Sequence, residues 1–109
     1  MEFSHIGLIT DDPKPGEVFV AATRVWVTDF VKHPHHVEWL RFEPDSPVTG
    51  PVRHQPHVAY RVPSIAEAAR GLKALLEPFV ALPNLRVGFY QTPDGAVVEL
   101  MEYSESPFE

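Results

Sequence analysis

Two pairs of histidine and glutamate could bind a metal ion. His5 stands in the segment FSHIGLIT and Glu38 in VEWLRFE, while His57 begins HVAYRV and Glu99 lies in AVVELMEY. Segments rich in β-branched and aromatic residues predict strands, whose interiors rarely carry glutamate. Alternation places Glu38 and Glu99 on apolar faces. An unpaired buried carboxylate is costly, and two neutral imidazoles with two carboxylates suit a divalent transition-metal ion.

The pairing occurs twice in corresponding places, which indicates one unit used twice. HIGLIT resembles HVAYRV, and HVEWLRFE resembles VVELMEYSE. The alternatives are a half-exposed or hydrogen-bonded histidine at a strand start and a glutamate that is solvated or paired with an arginine. Glu102 competes with Glu99 for the inward position. The arginines available as partners are Arg24, Arg41, Arg61 and Arg86.

The elements that must position these residues are short, because 12 prolines divide the chain. Strands are predicted over 3–10, 18–31 (one long strand or two short ones), 37–43, 57–62, 85–91 and 96–103. The Pro-rich stretch 44–56 predicts a connector. Ser64 and Glu67 form a capping box, and apolar residues at helical spacing from Ile65 to Phe79 predict one helix, whose regular part ends at Pro78.

Composition limits the classes of function. The chain has 109 residues, which suits a single domain, and it has no cysteine, which excludes disulfides and thiolate chemistry. A net charge of -6 argues against nucleic acid as a partner. The sequence has neither an apolar run of membrane-spanning length nor the pattern of a signal peptide. These observations predict a cytoplasmic protein with no membrane or nucleic-acid partner.

Three segments resemble the glyoxalase/bleomycin resistance protein/dioxygenase family, the vicinal oxygen chelate superfamily. They are HIGLIT, HVAYRVPSIAEAA and FYQTPDGAVVELMEY. The resemblance implies an α+β fold in which two βαβββ-type modules form a curved mixed sheet around a cleft. The modules would be residues 1–50 and 51–109. The first lacks its usual helix, where DDPKPGE stands instead, so a homodimer is expected to cover that half of the sheet.

The same resemblance implies the ligand set His5, Glu38, His57 and Glu99, which is similar to that of the glyoxalase I and methylmalonyl-CoA epimerase branch. The implied function is that of a metal-dependent isomerase, epimerase or lyase acting on a small α-hydroxy- or α-ketocarbonyl substrate. A divalent ion would polarise the carbonyl, and Glu38 or Glu99 would act as the catalytic base. Ligand types do not distinguish zinc, nickel, cobalt, manganese and iron.

Two other functions compete with this one. The first is a metal-free module that sequesters a small ligand, with an aromatic pocket drawn from Trp26, Trp39, Phe42, Tyr60, Phe89 and Tyr90. The second is a structural or interaction domain, which leaves both inward carboxylates unexplained. The segment HPHH, residues 33–36, could bind a metal by itself, but Pro34 favours a solvated turn.

Overall fold

A computed structural model describes residues 1–108 of the chain. The strands are β1 (Glu2–Ile9), β2 (Val18–Val20), β3 (Val25–Val27), β4 (Val37–Phe42), β5 (His57–Arg61), β6 (Lys73–Leu82), β7 (Leu85–Gln91) and β8 (Val97–Tyr103). The helical segments are a 3-10 turn (Phe30–Lys32) and two four-residue helices, α1 (Pro51–His54) and α2 (Ile65–Ala68). No helix within residues 1–108 has the length and apolar composition needed to cross a membrane.

All eight strands form one mixed sheet that curls into a half-barrel, so the α+β class is confirmed. The strand order is β2-β3-β4-β1-β5-β8-β7-β6. β1 runs parallel to β4 and antiparallel to β5, and β5 runs parallel to β8. The four central strands are therefore β4, β1, β5 and β8, and each carries one residue of the predicted metal site.

Apolar residues fill both faces of the sheet. On the concave face, Val97 and Met101 of β8 pack with Val87 and Phe89 of β7. On the convex face, Val98 and Leu100 pack against Ile65 of α2. This alternation along β8 follows the two-residue period of a strand and places Glu99 on the concave face with Val97 and Met101.

The helix predicted from Ile65 to Phe79 is wrong beyond its first turn. Its start is as expected, because the Ser64 hydroxyl accepts a hydrogen bond from the backbone N–H of Glu67 at 3.2 Å. The helix ends at Ala68, and Gly71 takes a φ of +80°, which favours glycine. Residues Lys73–Leu82 then form β6, antiparallel to β7 at the edge of the sheet.

Pairing with β7 explains why strand replaces helix in this segment. It pairs the backbone groups of β6 that face β7, and Leu75, Leu76 and Phe79 pack against the concave core. Pro78 is tolerated because β6 is an edge strand, and the register shifts between Leu76 and Phe79. Tertiary packing has overridden a helical pattern that looked complete in sequence.

The first half of the chain agrees with prediction more closely. Residues 18–31 contain two short strands, β2 and β3, which is the second of the two arrangements considered. The 3-10 turn that begins at Phe30 differs from the prediction, which had strand there. The connector over residues 44–56 holds the short helix α1, which begins at Pro51, where proline is favoured.

Candidate metal centre

Four adjacent strands bring His5, Glu38, His57 and Glu99 together on the concave face. Each offers one ligand atom, and these four atoms all lie within 4.8 Å of one another. His5 and His57 are 1% and 3% exposed, and Glu99 is 6% exposed. Glu38 is partly buried, with 14% of its side chain accessible. The residues that sequence reasoning proposed as ligands form a group that could hold a metal ion.

The spacing of these atoms fits a shared cation. His57 Nε2 lies 2.9 Å from Glu99 Oε1, and His5 Nε2 lies 3.4 Å from the same oxygen. His5 Nε2 lies 3.6 Å from Glu38 Oε1. Two ligands held about 2.1 Å from one ion are about 3.0 Å apart at a right angle and about 3.4 Å apart at a tetrahedral angle. These three separations fall close to this range.

Buried imidazole nitrogens provide an independent test of the fit. Within residues 1–108, Nε2 of His5 and both ring nitrogens of His57 are buried and lack a hydrogen-bond partner of good geometry. The two Nε2 atoms lie close to Glu99, but their geometry is not that of a hydrogen bond. Buried polar atoms are normally satisfied, since leaving one unpaired costs about 1–3 kcal/mol. A cation would satisfy both Nε2 atoms, and this donor set suits a divalent transition-metal ion.

A β-bulge at Ser4 orients His5. Phe3 pairs with Tyr60 and His5 with Ala59, which leaves Ser4 as the extra residue. Ser4 and His5 are consequently both buried, whereas Phe3 is 51% exposed. Regular alternation along this strand predicts that Phe3 shares a face with His5; this prediction is wrong, because the bulge interrupts the alternation.

The buried Ser4 is a site residue that sequence reasoning missed. Its hydroxyl oxygen lies 2.9 Å from Nδ1 of His5. When Nδ1 carries the proton, it donates to Ser4 and leaves Nε2 free to bind an ion. Partners of this kind fix the tautomer and orientation of metal-binding histidines. Nothing in the sequence signals the bulge.

His57 depends on a glycine across the sheet. Gly7 pairs with His57, and a Cβ added at Gly7 would lie 2.5 Å from Nδ1 of the imidazole and closer still to Cε1 and Nε2. The ring of Phe89 meets the imidazole edge-on at 5.1 Å. Glycine inside a strand often marks such a close approach, so Gly7 did carry a signal in the sequence.

Phe30 covers the site from the first half of the chain. Its ring stacks on His5 with 4.1 Å between centroids and 22° between planes. The 3-10 turn that carries it begins after Asp29, whose carboxylate accepts a hydrogen bond from the backbone N–H of Val31 at 3.0 Å. This stacking restricts the orientation of the imidazole and excludes water from one of its faces.

The charged side chains of the group shift one another's pKa values. Burial alone would lower the pKa of His5, but Glu38 and Glu99 together raise this pKa from 6.5 to about 9. Burial would raise the pKa of Glu99, yet His5 and His57 lower it to about 2. Burial, and then the negative charge of Glu99, raise the pKa of Glu38 against the opposing effect of His5. The pKa is therefore raised at Glu38 and lowered at Glu99.

A cavity of about 460 Å³ opens above the group. His5, Glu38 and Glu99 line it, together with apolar side chains from both halves of the chain. Of the six aromatic residues proposed for a pocket, Phe42 and Phe89 line this cavity. Tyr60 and Tyr90 belong instead to the core on the convex face. Trp26 donates a hydrogen bond to Glu43 at 2.9 Å, and Trp39 lies under Lys14.

The arginines that were considered as partners of Glu38 and Glu99 contact other groups instead. Arg41 binds Glu17 through two nitrogens, and Arg24 binds Asp45 at 2.8 Å. Glu102 faces away from the cavity. It accepts hydrogen bonds from the backbone N–H of Ile65 at 2.9 Å and from Arg86 at 3.2 Å, while Arg61 lies over the ring of Tyr103.

The HPHH segment forms the turn that was predicted as the alternative to a metal site. The backbone N–H of His36 donates to the carbonyl of His33 at 3.1 Å, and His36 adopts a φ of 52°. His35 donates its backbone N–H to Nδ1 of His33 at 3.0 Å. His36 Nδ1 lies 3.1 Å from the Ser4 carbonyl oxygen, so its ring is also used locally.

Comparison of the chain with protein-family models and with curated proteins finds no match.

Proposed function

We propose that this protein is a divalent-metal-dependent isomerase, epimerase or lyase that acts on a small α-hydroxy- or α-ketocarbonyl compound. The observation that carries the proposal is the convergence of four ligand atoms from His5, Glu38, His57 and Glu99 within 4.8 Å, at the floor of a cavity. A divalent ion bound there would supply a Lewis acid that polarises a carbonyl oxygen and stabilises negative charge beside it. Zinc, nickel, cobalt, manganese and iron all suit these ligands.

The geometry favours Glu38 as the base that moves a proton. Glu99 contacts both imidazoles, at 2.9 and 3.4 Å, and is held between them. Glu38 has a single contact with the histidines, at 3.6 Å from His5, and is more accessible from the cavity. Glu38 can therefore turn toward a bound substrate while Glu99 keeps its position. The reaction would begin when Glu38 takes the proton from the carbon next to the carbonyl.

The arrangement of strands supports the two-module layout as part of this proposal. From one edge of the sheet to its centre the strand order is β2-β3-β4-β1, and from the other edge to the centre it is β6-β7-β8-β5. Corresponding strands of the two halves of the chain therefore occupy equivalent positions. In each half the first strand lies parallel to the last, and each such pair supplies one histidine and one glutamate. Residues 1–50 and 51–109 would be the two modules. A loop stands in the first where α2 stands in the second.

A homodimer and a cytoplasmic location complete the proposal. The dimer follows from the resemblance to the glyoxalase family and from the missing helix of the first module. The absence of cysteine is compatible with the cytoplasm, where disulfides are rare.

Exchange of the α-proton offers a test that does not require the natural substrate. Untagged protein loaded with zinc, nickel, cobalt or manganese is incubated in deuterated water with a panel of α-hydroxyketones and α-ketoaldehydes, and deuterium uptake is followed by NMR. We expect exchange above the rate of free metal with at least one compound, and its loss in metal-loaded Glu38→Gln. A fully loaded wild-type protein that exchanges no proton faster than this variant would contradict the proposal.

The alternative is a metal-free module that binds a small ligand. It is favoured by one observation: the contacts of His5 with Glu38 and Glu99 can also serve as ion pairs, since the pKa of His5 is raised. Metal analysis separates the two functions. A folded untagged protein that cannot be loaded with any of the five ions, yet binds an apolar dye in its cavity, would establish the alternative.

A further inference from the structure

We infer that the cavity selects a ligand whose metal-binding oxygen atoms are attached to an uncharged, apolar body. This inference rests on the proposed function and names the class of substrate that the site would take. The structural basis is the contrast between the floor and the wall of one cavity. The floor holds charged and polar ligand atoms, whereas the wall is predominantly apolar.

The wall is built by both edges of the curled sheet. Val18 and Phe19 come from the edge strand β2, and Phe79 and Leu82 come from the opposite edge strand β6. Deeper in the cavity, Leu40, Phe42 and Phe89 surround the approach to the carboxylates. Burial of an aliphatic or aromatic ligand body against such a wall is favourable by roughly 25 cal/mol per Å² of apolar area.

The wall offers no counter-charge to an anionic ligand. Among the residues that the structure describes, no lysine or arginine lines the cavity. The acidic residues that line it are Asp29, Glu38 and Glu99. Arg53, close to Phe42, donates instead to the backbone carbonyls of Glu43, Ser46 and Val48.

The charge of the loaded site leads to the same conclusion. A divalent ion with two carboxylates and two neutral imidazoles has no net charge. A phosphate or carboxylate at the far end of a ligand would therefore lose its water without gaining a cation in return. Sugar phosphates, nucleotides and di-acids are disfavoured on this ground. The oxygens that bind the ion remain compatible, because the metal itself stabilises charge there.

The volume limits the size of the ligand body. The cavity measures about 460 Å³. This lies within the range of about 300–1,000 Å³ that is typical of sites for small organic ligands. A body of one or two rings, together with the chelating oxygens, would fit in it.

Three hydroxamates with the same chelating group test the inference on cobalt-loaded protein. Acetohydroxamate carries no body, benzohydroxamate carries an apolar ring, and para-carboxybenzohydroxamate carries the same ring with an anion. Their affinities are measured through the cobalt absorption spectrum. We expect benzohydroxamate to bind at least about tenfold more tightly than acetohydroxamate, because its ring is buried. The para-carboxy analogue should lose most of that gain.

A pair of lysine substitutions on β6 tests whether the preference for an uncharged ligand body arises from the cavity wall. Leu82 and Val80 are both exposed, at 56% and 38%, so either change should leave the fold intact, but only Leu82 lines the cavity. Leu82→Lys should improve binding of the para-carboxy analogue severalfold and weaken benzohydroxamate. Val80→Lys, the matched control, should change neither affinity.

The outcomes distinguish this inference from the proposed function. Equal affinities for acetohydroxamate and benzohydroxamate, or tightest binding of the para-carboxy analogue, would overturn the inference and leave the metal site standing. Cobalt-loaded protein that binds none of the three would also overturn it. Failure of the protein to take up cobalt or any other divalent ion would overturn the proposed function, and this inference with it.

Discussion

The imidazole of His57 lies in the space that any side chain at Gly7 would occupy. A Cβ at Gly7 would be 2.5 Å from Nδ1 of the ring and closer to two other ring atoms. The two residues face each other on the antiparallel strands β1 and β5. Gly7 therefore makes room for one corner of the candidate metal site, although it has no ligand atom of its own.

Gly7→Ala should displace the His57 ring and weaken metal binding by at least about 100-fold, since even partners outside the ligand set change affinity 10- to 100-fold. Competition with a chromogenic chelator measures this affinity. A double-mutant cycle separates the effect on the site from general destabilisation. Gly7→Ala should lower the thermal midpoint in the wild type but much less in His57→Ala, where the clash is gone. Equal lowering in both backgrounds would contradict the assigned relationship.

Ser4→Ala should weaken metal binding by about 10- to 100-fold while the protein stays folded, because the hydroxyl that orients His5 is lost but the ligand atom is kept. Ser4→Thr is the matched control, since it retains a hydroxyl, and it should recover most of the affinity. Titration of both variants with zinc, monitored by calorimetry, measures the difference. If Ser4→Ala binds zinc as tightly as wild type, the Ser4 hydroxyl has no role in metal binding.

The two glutamates should differ in their effects on metal and on reaction. Glu99→Gln should lose the ion on gel filtration, because Glu99 contacts both histidines. Glu38→Gln should retain most of the ion and lose α-proton exchange, since its carboxylate is the more accessible one. Metal content and exchange rate are measured on the same samples. The reverse order of metal loss would assign the base to Glu99.

Metal binding should release a proton. In the ion-free protein Glu38 and Glu99 raise the pKa of His5 to about 9, although burial opposes them. An ion requires the neutral imidazole, so binding near pH 7 should displace about one proton. The apparent affinity should rise about tenfold per pH unit up to about pH 9 and then level off. Calorimetry in two buffers of different ionisation enthalpy counts the proton, and a count of zero would contradict this linkage.

The same shift gives the ion-free protein a defined pH dependence of stability. Because the pKa of His5 is raised on folding, its contribution to stability is fully present below about pH 6.5 and is lost as the pH rises through about 9. The pKa of Glu99 is lowered to about 2, so its contribution is lost as the pH falls from about 4.5 to 2. Thermal unfolding midpoints with chelator across this range should fall at both ends. His5→Gln should remove the alkaline decline.

The placement of the four residues followed from the sequence because two simple patterns hold. His5, Glu38, His57 and Glu99 each lie in a segment with clear strand composition, and alternation assigned Glu99 to the face of Val97 and Met101, where it lies. The doubled pattern also indicated that two pairs would meet. The alternation of side chains between the two faces of a strand is a local property, and it is therefore readable from sequence.

The features that could not be predicted from the sequence depend on contacts between residues far apart in the chain. The strand β6 carries apolar residues at helical spacing, and only its pairing with β7 decides for a strand. The bulge at Ser4 arises from pairing with β5 and has no signature in FSHIGLIT. The stacking of Phe30 on His5 joins residues 25 positions apart in the chain, through a 3-10 turn that was read as strand.

The most direct test of this account is the metal content and ligand environment of untagged protein. After loading and gel filtration, we expect one equivalent of a divalent ion per chain, with an X-ray absorption spectrum of two imidazoles and oxygen ligands at about 2.0–2.2 Å. His57→Ala and Glu99→Gln should retain less than a tenth of the ion. Wild-type protein that is folded but takes up none of the five candidate ions would contradict the central claim.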